Sequence, residues 1–391
     1  MITNRSALLL VFCLLCPATL AAGEIPAAKP GEVGLSAAGL EKARAAVTDL
    51  IKNGRVAGAV VVVARHGKIV LFDAQGVRDV DTGKPMEKDT LFRFYSMTKP
   101  VTTVAAMILF EKGQFQLDDP VSNYLPQLKG VKVHAGGEGG ELKLVAASRE
   151  MTIRDLMCHT SGLTYAGFVK SPVADLYLEH KVLAPADTLE KTVEKLGRLP
   201  LVQQPGSRFH YGVSTDVLGR VVEVVSKTGL ADFARENIFE PLEMKDTAFY
   251  VPETKRERFG ATHGRDPNGK LIVTDPPTKS PYLNQSAPPF GGHGLVSTGR
   301  DYARFCQMLL NKGQLDGKRV LQDRSVELMT KNHLPDEAIP ISVGPMRREG
   351  VGFGLGFSVR VATDEKSPGS PPGEFGWGGA ASTHFWISPK D

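Results

Sequence analysis

One serine and one lysine in this sequence have a spacing that could support nucleophilic catalysis. Ser96 and Lys99 lie in the segment FYSMTKP, where Pro100 suits the first turn of a helix because the N–H groups there have no partner within the helix. Residues i and i+3 of a helix share a face, with Cβ atoms about 5–6 Å apart, so the amine can reach the hydroxyl. An uncharged amine in that position could accept the hydroxyl proton and make Ser96 a nucleophile for acyl transfer.

The spacing alone does not establish this chemistry. S-x-x-K occurs once in the chain, and a structural alternative has Ser96 capping the helix while Lys99 is solvated. Other hydrolase signatures are absent from the sequence, which has no G-x-S-x-G elbow and no H-x-x-H or H-E-x-x-H pair. We expect no metal and no cofactor, because serine acyl transfer needs only a nucleophile, a proton shuttle and oxyanion donors.

The elements that must position this motif are strands near both ends of the chain and helices between them. The patterns predict a helix over 36–52 capped by Ser36, and a hairpin of strands 59–64 and 69–72. Further predicted helices are 101–112, 153–158, 217–226 and 301–311, and predicted strands are 353–361 and 375–387. This order predicts an α/β (α+β) domain with its sheet at about 33–92 and 335–391 and an inserted, mostly helical region at about 93–334. A crevice between the two regions would be a natural ligand site.

The first 22 residues have the pattern of an export signal, with Arg5 ahead of ten apolar residues at 7–16 and small residues at 18–22. Ten apolar residues make a helix of about 15 Å, half of a bilayer core, which disfavours a permanent membrane anchor. We expect a mature domain of 23–391 that is secreted or periplasmic. It keeps Cys158 and Cys306, which we expect to be buried free thiols.

The composition limits the partners of the protein. A formal net charge of +4 over 391 residues, without a basic run, supports neither a nucleic-acid groove nor a polybasic membrane anchor. With 42% hydrophobic residues the chain can bury a sizeable core. We expect a small-molecule partner, and the oligomeric state does not follow from the sequence.

Five blocks of sequence resemble, in order, the serine beta-lactamase-related family, and most of all its class C-like esterase branch, the family VIII carboxylesterases. They are LFRFYSMTKPVTTVAAMILFEKG around Ser96, MTIRDLMCHTSGL at 151–163, FHYGVSTDVLG at 209–219, GGHGLVSTGRDYARF at 291–305 and FGWGGAASTHFWISP at 375–389. The resemblance runs from about Val33 to the C-terminus. It implies a beta-lactamase/transpeptidase-like fold, with an antiparallel sheet flanked by helices, and a serine esterase that cleaves a small ester through an acyl-enzyme.

The resemblance also implies the site residues. Ser96 would be the nucleophile, Lys99 its base partner, and Tyr211 the phenol that accepts or relays the proton. The backbone N–H groups of Ser96 and Ala380 would form the oxyanion hole. The substrate would lie against Val213 and against the W-G-G segment formed by Trp377, Gly378 and Gly379.

Two positions depart from the beta-lactamase pattern. Val213 stands where an asparagine would donate a hydrogen bond to a beta-lactam or peptide, and Trp377 replaces a lysine suited to a substrate carboxylate. Both changes favour esters without a carboxylate. A literal K-T-G at 227–229 follows Tyr211 by only 16 residues, and we interpret it as a helix end capped by Gly229.

Other polar residues in the matched blocks are interpreted as structural or left without a role. Ser214 is predicted to cap the helix that starts at Thr215, with Asp216 favourably placed in its first turn. His159 and Ser161 belong to the HTSG segment and are interpreted as structural. His293 and His384 lie near the expected cleft, without an acidic partner at a recognisable spacing.

Two alternatives remain beside an exported serine esterase. A beta-lactamase or D-Ala-D-Ala carboxypeptidase is the enzymatic one, which Val213 and Trp377 disfavour. The other is a non-catalytic binding protein of the same fold. Family members usually continue past the W-G-G strand with another strand and a long helix, and residues 388–391 end before either. We therefore expect this C-terminal strand and helix to be missing and the chain to be a fragment of low stability.

Overall fold

The computed structural model describes residues 24–137, 142–365 and 369–391. The predicted export signal at 1–22 lies outside the described residues. Within those ranges, no helix combines the length and the apolar character that crossing a membrane requires.

The described chain opens with a helix and a hairpin, as predicted. Helix α1 (Ala37–Lys52) begins after Ser36, whose hydroxyl oxygen accepts the N–H of Gly39 at 3.2 Å. Strands β1 (Gly58–Arg65) and β2 (Lys68–Gly76) pair antiparallel around the turn His66-Gly67. Both turn residues have positive φ, 51° and 73°, which matches the twist of a two-residue hairpin loop.

The helical region follows and contains most of the buried apolar residues. Its helices are α2 (Thr98–Glu111), α3 (Ile153–Cys158), α4 (Pro172–Glu179), α5 (Leu189–Leu196), α6 (Ser214–Ser226), α7 (Leu230–Ala234), which continues into a π-helical turn (Arg235–Phe239), α8 (Gly299–Leu310) and α9 (Asp323–Met329). Every residue of α2 from 98 to 109 is buried. A helix that is covered on all sides lies in the core, and α2 therefore carries its polar residues into the interior.

Both ends of α6 differ from the prediction. Val213 precedes the helix, and the Ser214 hydroxyl, predicted to cap it, is instead buried against the hydroxyl of Ser161 at 2.9 Å. At the other end Lys227, not Gly229, takes the left-handed conformation with φ 58°, and Gly229 with φ −57° precedes α7. Lys227 is exposed at this helix end, and its left-handed conformation carries the usual steric cost of a residue with a Cβ.

Short two-stranded sheets connect the helices, and a larger sheet closes the chain. The short strands are β3 (Phe92–Arg93) with β8 (Val296–Ser297), β4 (Val133–His134) with β5 (Leu144–Val145), β6 (Thr262–Arg265) with β7 (Leu271–Asp275), β9 (Gln314–Leu315) with β10 (Lys318–Arg319), and β11 (Ser342–Val343) with β12 (Met346–Arg347). The larger sheet is antiparallel in the order β13 (Val351–Phe353), β14 (Ser358–Arg360), β15 (Phe375–Gly378), β16 (His384–Ile387).

The two terminal sets of strands form two sheets rather than the single sheet predicted. Within the described residues β1 pairs with β2, and β16 pairs with β15, so no ladder joins the N-terminal hairpin to the C-terminal sheet. The C-terminal sheet packs into the main core with Phe375, Trp377 and Phe385, whereas α1 has no buried residue. The thiols of Cys158 and Cys306 are free, and burial raises the pKa of each.

Candidate active site

Ser96 lies in a tight turn at the start of α2. Residues Tyr95–Met97 form a single 3₁₀ turn that leads directly into the helix. Tyr95 has φ 42°, an uncommon conformation for a residue with a side chain. Hydrogen bonds hold the turn: Thr98 donates its hydroxyl to the Tyr95 carbonyl at 2.6 Å, and Tyr302 donates to the Met97 carbonyl at 2.9 Å. The half-buried serine is therefore presented from a fixed backbone.

Lys99 extends from the first turn of α2 into the interior, where its side chain is almost fully buried. Its amine nitrogen Nζ lies 3.2 Å from Ser96 Oγ, 3.1 Å from the Tyr165 hydroxyl and 2.8 Å from the Gly292 carbonyl oxygen. Among the described residues, no carboxylate lies within 4 Å of this nitrogen. The amine is thus surrounded by neutral oxygen atoms.

Tyr211 reaches the same serine from the segment before α6. Its hydroxyl donates to Ser96 Oγ at 2.7 Å, and its ring lies 4.7 Å from Lys99 Nζ. Gly212 allows this approach, because a Cβ there would stand 2.2 Å from the Leu163 carbonyl oxygen. The structure therefore brings Ser96, Lys99 and Tyr211 together, although Ser96 and Tyr211 are 115 residues apart in the chain.

Three residues that the sequence left without a role complete this cluster. They are Tyr165, Asp216 and Gly292. The Asp216 side chain is fully buried, and its Oδ1 accepts the Gly292 N–H at 2.9 Å. Burial raises the pKa of Tyr165 well above its ordinary value, and the neighbouring Asp216 and Tyr211 add to the effect. The sequence signal for Asp216 was weak, because an acid in the first turn of a helix has an ordinary structural explanation.

The histidines near the cluster are held neutral by burial. His159 ends α3 with φ 56° and packs against the rings of Phe209, Tyr211 and Phe353. Burial lowers its pKa well below the ordinary value. His293 stacks on Phe290 at 4.7 Å, and burial also lowers its pKa. Its Nδ1 lies 3.9 Å from Asp216 Oδ1, an acidic neighbour that the sequence did not reveal.

The W-G-G segment forms the opposite wall of the site. Trp377 is 6% exposed, and its ring centroid lies 5.4 Å from that of Tyr211 and 5.2 Å from that of Phe353. Both glycines have close neighbours, which are a side chain at Gly378 and include a backbone atom at Gly379. A Cβ on Gly378 would lie 2.4 Å from His384 Nδ1, and one on Gly379 would lie 2.4 Å from the Phe94 carbonyl oxygen. The end of β15 is therefore packed directly on the segment that precedes Ser96.

The two remaining predicted residues, Ala380 and Val213, have different surroundings. Ala380 is exposed and follows Gly379, which contacts the segment that precedes Ser96. In the described part of the chain nothing accepts a hydrogen bond from its N–H. Val213 is 1% exposed and belongs to the main core. Contacts of both residues with a substrate remain predictions.

Comparisons with known proteins relate the whole described domain to one family. A family model described as beta-lactamase matches residues 43–391. The esterase EstB of Burkholderia gladioli is 30% identical, over 92% of this chain and 89% of its own length. The lovastatin esterase of Penicillium rubens is 30% identical over 87% of this chain and 88% of its own. The solved structure of EstCE1, described as a hydrolase with promiscuous acyltransferase activity, has a TM-score of 0.76 and 27% identity, and the match covers 90% of both chains.

Proposed function

Because this chain belongs to the beta-lactamase family and is a serine hydrolase of esterase or acyltransferase type, we propose that it cleaves carboxylic esters through an acyl-enzyme on Ser96. The predicted family and the beta-lactamase/transpeptidase-like fold class are confirmed. The esterase class of substrate follows from the similarity to EstB and to the lovastatin esterase. The roles of individual residues are part of the proposal.

One observation carries the proposal: the Ser96 hydroxyl lies between an amine and a phenol. Lys99 Nζ is 3.2 Å from Ser96 Oγ on one side, and the Tyr211 hydroxyl is 2.7 Å from it on the other. Both distances allow proton transfer without rearrangement. The structural alternative, in which Lys99 is solvated and Ser96 only caps the helix, does not explain why the Tyr211 hydroxyl also contacts this serine.

The chemistry proceeds in two balanced steps. Lys99 takes the Ser96 proton as the serine oxygen bonds to the ester carbonyl carbon, and the N–H groups of Ser96 and Ala380 stabilise the oxyanion. The carbon–oxygen bond of the ester then breaks, Tyr211 gives its proton to the leaving alcohol, and Lys99 restores that proton. In the second step Lys99 takes a proton from water as the water oxygen bonds to the acyl carbon. The bond between that carbon and Ser96 Oγ then breaks, Lys99 returns the proton to the serine oxygen, and the acid leaves. An alcohol in place of water would give acyl transfer.

Trp377 supports an ester rather than a beta-lactam as substrate. Its aromatic ring stands in the place of the lysine that beta-lactamases use, and Val213 replaces the hydrogen-bonding asparagine. We therefore infer a small ester substrate, with beta-lactam hydrolysis as the weaker alternative. The pattern of residues 1–22 supports export, and we propose a secreted or periplasmic location for the reaction.

The test compares wild type with Ser96→Ala, because the nucleophile is the residue that defines the mechanism. Wild type should hydrolyse p-nitrophenyl butyrate faster than a chromogenic cephalosporin, and a fluorophosphonate should add one adduct to the intact mass, located at Ser96. Ser96→Ala should lose both labelling and about 10⁴-fold or more in kcat. Equal hydrolysis by the two proteins would refute the proposal, and wild type without activity or labelling would favour a non-catalytic binding protein.

A further inference from the structure

We propose that Asp216 is a positioning residue that directs the hydrogen bonds of Lys99 and balances the charge which this amine gains during catalysis. The inference rests on the proposed function, because it assigns how the base of that reaction is held. It gives a role to a carboxylate that the sequence explained as an ordinary first-turn acid of α6.

Asp216 is an unusual group for the core. Its side chain is fully buried, and no lysine or arginine of the described chain lies within 4 Å of it. The nearest basic group is His293, whose Nδ1 is 3.9 Å away and whose pKa burial lowers, so that this imidazole is neutral. A buried carboxylate without a cation is costly to maintain. Such a cost, next to a catalytic cluster, is expected where the charge has a function.

The first connection from Asp216 to Lys99 runs through one peptide group. The Gly292 N–H donates to Asp216 Oδ1 at 2.9 Å, and the Gly292 carbonyl accepts from Lys99 Nζ at 2.8 Å. The carboxylate thus fixes the glycine on one side while the lysine amine is held on the other. A Cβ at Gly292 would stand 2.5 Å from Asp216 Oδ2 and 2.9 Å from the Tyr165 hydroxyl, so only glycine fits here.

The second connection runs through the Tyr165 hydroxyl, which lies 3.1 Å from Lys99 Nζ. The interaction with Asp216 contributes to the raised pKa of Tyr165, so this phenol keeps its proton. Asp216 Oδ2 is buried without a hydrogen-bond partner in the described chain. A Cβ on Gly292 would contact both this oxygen and the Tyr165 hydroxyl, so the two groups lie on the same side of the glycine. We infer that the phenolic proton is directed toward the unpaired carboxylate oxygen, which leaves the lone pairs of the phenol free for the lysine.

The proposed reaction needs Lys99 in its uncharged form, whose amine has two N–H bonds and one lone pair. The contacts around this amine are compatible with the following arrangement. The Gly292 carbonyl and the Tyr165 oxygen, with its proton turned to Asp216, both accept, so the two N–H bonds are used. The lone pair is left for the Ser96 hydroxyl, while Ser96 Oγ accepts from Tyr211 at 2.7 Å. Asp216 thereby sets the direction of transfer, from the serine oxygen to the lysine nitrogen.

Asp216 also matters once the proton has moved. The titratable groups that face Lys99 come from α2, the segment after α3, the segment that begins α6, and the loop before β8; they are Ser96, His159, Tyr165, Tyr211, Asp216 and His293. Burial keeps both histidines neutral. Asp216 is the one carboxylate of this set, and it faces the ammonium form through the Tyr165 hydroxyl.

Asp216→Asn in the full chain tests the proposal, because the amide keeps the shape and an acceptor oxygen for Gly292 while it removes the charge. We expect kcat for p-nitrophenyl butyrate to fall about 10²-fold with KM nearly unchanged. The rate at which a fluorophosphonate labels Ser96 should fall with kcat, because both reactions need the lysine amine held in place. Tyr165→Phe removes one connection and keeps the charge, so it should lower kcat by a smaller factor than Asp216→Asn does.

Asp301→Asn is the matched control. Asp301 is also a buried first-turn acid, 4% exposed, but in α8, where its Oδ2 accepts from the Asp246 N–H and the Thr247 hydroxyl. This variant should lose thermal stability without any change in kcat or in the labelling rate. A merely structural Asp216 would behave in the same way, and a kcat of Asp216→Asn equal to that of wild type would overturn the proposal.

Failure of the proposed function can be distinguished from failure of this inference. If wild type hydrolyses no ester, the proposed function is wrong, yet the reactivity of Ser96 still reports on its base through the rate of fluorophosphonate labelling. That rate should fall about 10²-fold in Asp216→Asn and stay unchanged in Asp301→Asn. Equal labelling rates of wild type and Asp216→Asn would contradict the role of the carboxylate.

Discussion

The two walls of the site are held by different interactions. On the wall formed by α2, α6 and the loop at Gly292, hydrogen bonds connect Ser96, Lys99 and Tyr211 in a buried network. On the wall formed by β15, Trp377 makes aromatic contacts, and glycines lie against backbone. The hydrogen bonds of the first wall orient the groups that exchange protons, whereas the packing of the second wall determines the shape of the space for a substrate. We expect changes on the first wall to lower kcat and changes on the second mainly to alter which substrates react.

The largest expected effect in this comparison belongs to Tyr211→Phe. The ring contacts with His159 and Trp377 would remain, and only the donor to Ser96 Oγ would be lost. We expect kcat for p-nitrophenyl butyrate to fall about 10²–10³-fold while KM changes less than about threefold. Thermal unfolding should be nearly unchanged.

Esters with different leaving groups sharpen this prediction. In the proposed mechanism Tyr211 protonates the leaving alcohol, so the loss of kcat should be greater for an ethyl ester than for a p-nitrophenyl ester, whose anion leaves without a proton. Equal losses for the two esters would assign Tyr211 to binding or packing and would remove it from the hydrogen-bonded wall.

The two walls also differ in how far the sequence could predict them. Ser96 and Lys99 are three residues apart, so helix geometry alone predicts their contact, and motif resemblance adds Tyr211. Tyr165 and Gly292 approach Lys99 from 66 and 193 residues away, and no local pattern marks either contact. Asp216 was visible only as a first-turn acid, because its partner Gly292 is 76 residues away.

The same limit explains the errors in the fold. Ser214 has the residue type of a helix cap, but its hydroxyl bonds to Ser161, 53 residues away, and this buried partner outweighs the local preference. The N-terminal hairpin and the approximate bounds of α1, α2, α3, α6 and α8 were predictable because their signals are local. Whether the N-terminal and C-terminal strands pair in one sheet depends on contacts between segments that are far apart in the chain. The periodicity of hydrophobic residues gives no information about such contacts.

The next effect tests the contact between the two walls. Gly379→Ala would place a Cβ 2.4 Å from the Phe94 carbonyl oxygen and 2.3 Å from Thr383 Oγ1, so the end of β15 must move away from the turn of Ser96. We expect kcat to fall about 10–10²-fold, since the N–H of Ala380, the proposed oxyanion donor, would be displaced. The free energy of unfolding should fall by about 1–3 kcal/mol.

A second glycine provides the control for this variant. Gly229 has φ −57°, and no atom of the described chain beyond its immediate neighbours lies within 4 Å of the place that an alanine methyl group would take. Gly229→Ala should therefore leave both kcat and the unfolding midpoint nearly unchanged. If Gly379→Ala lost stability but kept its kcat, the β15 wall would contribute shape without contributing to the oxyanion hole.

The smallest expected effect concerns selectivity at the Trp377 wall. The guanidinium of Arg348 lies 5.9 Å from the centroid of the Trp377 ring and donates to Ser358 Oγ at 3.3 Å. In the described chain no carboxylate lies within 4 Å of it. Burial lowers the pKa of Arg348, and Arg360 adds to the effect. The β15 wall therefore has a partly buried cation near the tryptophan, although its W-G-G motif lacks the lysine of the beta-lactamase pattern.

A cation at this place should favour esters that carry a second, anionic group. We expect Arg348→Met to lower kcat/KM for the mono-p-nitrophenyl ester of glutaric acid about three- to tenfold relative to p-nitrophenyl butyrate. This factor corresponds to the loss of one charge pair that is partly exposed to solvent. Arg347→Met is the control, because the Arg347 guanidinium is exposed and already paired with Glu349 at 2.7 Å. An unchanged ratio in Arg348→Met would leave the β15 wall as an apolar surface alone. A reduced ratio with unchanged butyrate hydrolysis would show that this wall selects substrates by charge while the hydrogen-bonded wall performs the reaction.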